Sequence, residues 1–162
     1  MVLWFAALSV AGTFLVFRDP ALDYRLVAVG ALLPDPLDGL IRRGVGPFHS
    51  LVTAVAVLVV VMLATIGRRS VRRRGLAVVI GIFAHLVLDA MWARTKVFWW
   101  PIASTAFRGR LPVLDRPIGL LMIEELVGAG VAMWLWRQFG LADATRRAKF
   151  LRTGRLDRSM VQ

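Results

Sequence analysis

Four apolar runs dominate this chain: roughly Val2 to Phe17, Phe48 to Ile66, Leu76 to Ala93 and Ile118 to Trp136. About 30 Å of hydrocarbon at 1.5 Å rise per residue takes roughly 20 such residues to cross. In lipid every backbone N–H and C=O must find its partner within the protein, so runs of this kind are confined to helix. The chain is 58% hydrophobic with a mean hydropathy of +0.68, whereas soluble domains sit near about 45–50%. Its 162 residues allow one domain. It has no cysteine, which excludes disulfides and thiolate metal ligands. The expected fold is an all-α membrane protein with about four transmembrane helices. Residues 1–140 form the helical domain and 141–162 a basic cytoplasmic tail.

A fifth apolar stretch, Leu26 to Leu33, is too short to cross and runs into Pro34 and Pro36. It predicts a short re-entrant or interfacial helix, because interrupted backbone at membrane depth lines a cavity. The first run lacks the basic flank of a cleavable signal peptide.

The net charge of +11 would suit nucleic acid, but the basic residues are not interleaved with aromatics. They gather at the ends of the apolar runs, which points to orientation and anionic-lipid contact. The densest group is Arg68, Arg69, Arg72, Arg73 and Arg74. The tail adds Arg137, Arg146, Arg147, Lys149, Arg152, Arg155 and Arg158. Both should be cytoplasmic. Four crossings would put the N-terminus on that side too and send 18–47 and 94–117 outward. Arg94, Arg108 or Arg110 in the second outward segment could hold an anionic head group. The tail, about Ala142 to Arg158, carries a narrow apolar stripe that suits a helix on the cytoplasmic leaflet.

Ionisable residues within apolar runs are costly and mark functional sites. Under this topology Asp35, Asp38, His49, His85, Asp89, Glu124 and Glu125 all reach the outer half of the bundle. Each has an ordinary explanation alone. Pro34-Asp35-Pro36 can be a capped turn, His49 and Ser50 a helix cap, and His85 with Asp89 a structural pair at i,i+4 spacing. Glu124 and Glu125 can pair with Arg94 or Arg116. Together they favour a metal site, because imidazole with carboxylate binds zinc, manganese or iron. Zinc is the expected metal. With one position open, such a site brings bound water to a pKa of about 7, which suits attack on an ester or phosphoester. Glu124 or Glu125 is the candidate general base or a further ligand.

Four segments carry a resemblance: Gly30 to Asp38 (GALLPDPLD), Phe48-His49-Ser50, Gly81 to Asp89 (GIFAHLVLD) and Trp99-Trp100-Pro101-Ile102. In order and spacing they resemble the bacterial membrane-bound metal-dependent hydrolases of the YdjM type. That family shows a Gly-x-x-x-Pro-Asp-x-Asp element, then Thr-His-Ser, His-x-x-x-Asp and Trp-Pro. Here the second acid falls one residue later, at Asp38, and Phe48 stands in place of the threonine. The match covers about residues 26–102. It implies a multi-pass α-helical protein of the bacterial inner membrane, with Asp35, Asp38, His49, His85 and Asp89 as metal ligands.

The function expected is metal-dependent hydrolysis of an ester or phosphoester in a lipid-linked substrate at the outer face. Membrane lipids, and a protein partner through the basic tail, are the expected contacts; nucleic acid is not. Two other classes fit the same residues. One is a non-catalytic membrane subunit holding a structural metal or polar network. The other is a small cation- or proton-coupled transporter.

Overall fold

The apolar runs fold as helices in a computed structural model that describes residues 1–42, 44–107 and 109–157. Arg108 and Arg158 lie outside the described residues. Helix α1 (Val2–Phe17) ends where Arg18 turns left-handed and its N–H bonds the Phe14 carbonyl. Helix α2 (Tyr24–Leu32) starts at Asp23, whose side chain accepts the Arg25 N–H. After Leu33, α3 (Pro34–Arg42) opens on proline, a position where the missing N–H costs nothing. A 3-10 turn at Pro47–His49 leads to Ser50. The Ser50 hydroxyl accepts the Thr53 N–H and so caps α4 (Leu51–Ala64). Helix α5 (Arg69–Leu88) follows, then α6 (Thr95–Phe98), α7 (Pro112–Asp115), α8 (Ile118–Gln138) and α9 (Ala144–Thr153). Asp143 caps α9, and the Arg146 N–H it accepts holds its carboxyl below the usual range.

The described residues contain no strand. Of the four expected spans, α8 alone is long and apolar enough to cross a membrane by itself. Helices α1 and α4 are apolar but shorter, and α5 begins among arginines.

Small residues bring the helices together. Helix α2 lies on α5 at Gly30 and Gly81, where an added Cβ would overlap the Val78 and Val27 carbonyls. Such close backbone approach lets the two helices pack tightly. Helix α1 packs beside α2, α5 and α8.

The contacts also fix direction. Phe5 stacks on His85, near the end of α5, with ring centroids 4.2 Å apart. Glu125 accepts the Leu3 N–H, while Phe14 packs against Phe139 at the far end of α8. So α1 runs parallel to α8, and its last residues lie with the arginine loop, where Asp19 pairs with Arg73 at 2.9 Å. The start of α1 is therefore at the opposite end from the arginine loop and tail, which overturns the sequence-based placement of both on one side. The expectation failed because α2 and α3 are a return limb, not a loop. They carry the chain back from the arginine end to His85.

The tail folds onto the same body. Leu156 N–H bonds the Pro20 carbonyl and Tyr24 N–H the Gly154 carbonyl, each at 3.0 Å. Leu141 and Leu156 are buried, which contributes about 1.5–3 kcal/mol each. No residue of α9 itself is buried.

Candidate metal centre

Three elements bring the site residues together. Helix α3 supplies Asp35 and Asp38 one turn apart, the 3-10 turn supplies His49, and the last turn of α5 supplies His85 with Asp89 as its cap. The i,i+3 spacing in α3 decides their roles. It sets the two carboxylates on opposite nitrogens of one imidazole. Asp35 Oδ1 lies 3.3 Å from His49 Nε2, and Asp38 Oδ2 lies 2.6 Å from His49 Nδ1.

His49 Nε2 and His85 Nε2 face each other at 3.3 Å. Asp35 Oδ1 is 3.9 Å from His85 Nε2, and Asp89 Oδ2 is 3.9 Å from His49 Nε2. One ligand atom each from Asp35, His49 and His85 falls within 4.8 Å of the others. Ligands about 2.0–2.1 Å from a tetrahedral zinc lie about 3.3 Å from each other, the spacing of the shorter pairs.

Proton placement shows what the cluster could hold. The Ala31 carbonyl can only accept, so His85 Nδ1, 2.7 Å away, is the donor. His49 Nδ1 likewise donates to the Asp38 carboxylate. In the neutral rings both Nε2 atoms are then bare lone pairs pointing at each other. Asp35 Oδ1 and Asp89 Oδ2 are buried and receive no hydrogen bond. A proton on His49 Nε2 would lie 3.3 Å from both His85 Nε2 and Asp35 Oδ1 and leave the Asp89 oxygen without a donor. A divalent cation could take one ligand atom each from Asp35, His49 and His85. His49 and His85 are fully buried and Asp89 is 4% exposed, whereas the Asp35 side chain is 24% exposed.

Two expected site residues are placed elsewhere. Asp38 does not face the cluster. Fully buried, it accepts the Gly46 N–H at 2.9 Å, the Phe48 N–H at 3.2 Å and the His49 ring. It orients His49, as a carboxylate behind a ligating histidine does. Glu125 pairs with the Met1 amine and the Leu3 N–H, at the start of α1. Glu124 comes near only through Arg116, whose guanidinium spans Asp89 Oδ1 at 3.0 Å and Glu124 Oε1 at 3.1 Å. Arg94 pairs with Asp115 at 3.3 Å on the surface.

Arg116 was not expected here beyond a pairing with a glutamate. It lies far along the chain from Asp89, in a connecting segment with no periodicity of its own. Nor does the sequence mark the Ala31 carbonyl, a backbone atom, or Phe5, one apolar residue among many.

A family model described as YdjM inner membrane protein matches residues 1–148. Neither a curated protein nor a solved structure matches the chain.

Proposed function

The chain belongs to the YdjM inner membrane protein family, and from that membership we propose that it is a multi-pass inner-membrane protein whose His–Asp cluster holds one divalent metal, zinc. Asp35, His49, His85 and Asp89 hold the ion, with Asp38 and the Ala31 carbonyl fixing the two rings. The observation that carries this reading is the four inward acceptors, two of them buried carboxylate oxygens with no donor. The exposed apolar side chains of α8 (Ile118, Met122, Ile123 and Leu126) support a lipid setting. So does the position of the cluster at the end away from the arginine loop, which is the outer end by the positive-inside rule.

The reaction proposed is hydrolysis of an ester or phosphoester in a lipid-linked substrate. A divalent metal supplies Lewis acidity to such a group. The half-exposed Asp35 side is where a substrate approaches. Arg116 holds Asp89 in place, and Glu124 keeps Arg116 on that side. Glu124, joined to Asp89 through Arg116, is the further acid proposed for proton transfer. The deep burial of His49, His85 and Asp89 favours a second reading, a closed structural metal in a non-catalytic subunit.

Elemental analysis of protein purified without chelator should find about one zinc per chain, lost in His85→Ala. Metal-free, folded wild type would end both readings. If zinc is present, exchange separates them: rapid loss to a mild chelator supports an open site, and retention over hours supports the structural one.

A further inference from the structure

At the other end of α5, about 18 Å from His85 at 1.5 Å per residue, lies a cavity of about 440 Å³. Arg25, Arg73, Arg74, Arg152 and Arg155 line it, with Asp23 the acid among them. Three separate parts of the chain contribute: the start of α2, the first turns of α5 and the end of the tail helix. Arg25 is engaged by Asp23 and the Leu151 carbonyl, and Arg73 by Asp19. Arg74, Arg152 and Arg155 have no acidic partner among the described residues. Like charges converging without a counter-ion call for an anion, and the guanidinium fork matches phosphate oxygens.

A second cavity adjoins the first. It is a groove of about 330 Å³ lined by Phe17, Leu22, Leu76 and Ile80 together with Asp19 and Arg73. Arg73 is a wall of both. A free phosphate would use the arginine cavity alone, whereas an amphiphile fills both.

We propose that these two cavities form a binding site for an anionic phospholipid of the cytoplasmic leaflet, its phosphate among Arg74, Arg152 and Arg155 and an acyl chain along Phe17, Leu22, Leu76 and Ile80. The site is independent of the metal centre. It also gives the docked tail a purpose, because the tail supplies two of the three unpaired arginines.

Native mass spectrometry of the full chain released from a non-ionic detergent tests this, with phosphatidylglycerol, phosphatidylcholine and inorganic phosphate as probes. One phosphatidylglycerol should be retained per chain, and phosphatidylcholine should bind at least about tenfold more weakly. R74Q/R152Q/R155Q should lower phosphatidylglycerol affinity by about 10- to 100-fold. R68Q/R69Q/R137Q, which removes the same charge outside the cavity, should leave it within about twofold. I80W, which fills the groove, should weaken the lipid and leave phosphate unaffected. Equal loss in both triple variants would overturn the site in favour of diffuse charge. Inorganic phosphate competing as well as the lipid would overturn the lipid. Should the pocket triple lose its helical circular dichroism, the single variants R74Q, R152Q and R155Q replace it. Each should then bind severalfold more weakly, and three unchanged affinities would refute the proposal.

Discussion

Replacing Asp38 with asparagine separates a residue that orients from one that ligates. The Asp38 carboxylate takes three donors: the His49 ring at 2.6 Å and the Gly46 and Phe48 backbone N–H groups at 2.9 and 3.2 Å. Asparagine has one acceptor oxygen and presents an NH2 in place of the other. At least one donor then faces a donor. With Asp38 fully buried, an unsatisfied group costs about 1–3 kcal/mol of stability. The ring also loses the partner that keeps its proton on Nδ1 and its lone pair on Nε2. Losing such a partner lowers metal affinity by about 10- to 100-fold, or about 1.4–2.7 kcal/mol. Asp35→Asn removes a proposed ligand oxygen itself and should cost more. Zinc affinity is read by competition with a chromophoric chelator in detergent, and thermal melts of the metal-free proteins report stability separately. Asp38→Asn should bind zinc between wild type and Asp35→Asn. An affinity as low as that of Asp35→Asn would make Asp38 a ligand and refute the two-layer assignment. Wild-type affinity would show that His49 needs no orienting.

Two further outcomes follow from the contacts. Arg116→Gln leaves Asp89, whose side chain is 1% exposed, without its organic counter-ion. It should cost about 3–5 kcal/mol in metal-free protein and less in the zinc-loaded form, as judged by chelator-dependent melting; an equal loss in both states would count against Asp89 as a ligand. The chain has no native cysteine, so Ala21→Cys should resist an impermeant thiol reagent in intact cells while Ser104→Cys labels. Labelling at residue 21 would restore the outward placement of 18–47 and contradict the contact between Asp19 and Arg73.

The sequence determined the helical character of this protein, because long apolar runs with few breakers favour a backbone that satisfies its hydrogen bonds within the segment. It also singled out the residues of the cluster: His49, His85 and the nearby aspartates are conspicuous because charge is expensive among apolar neighbours. Even the i,i+3 step from Asp35 to Asp38 is written in the chain. What it could not decide is which nitrogen each carboxylate meets. That depends on where the Pro47–His49 turn sets the imidazole against α3, a relation between segments with no shared periodicity. The course of the chain was hidden for a similar reason. A nine-residue helix, α2, is too short to read as a crossing, yet Gly30 and Gly81 dock it on α5 and it carries the chain back to the site. Arg116 joins Asp89, and Arg152 and Arg155 join Arg74, only through tertiary packing. Long-range electrostatic pairing leaves no local pattern, so the sequence shows the charges and the fold alone decides which of them meet.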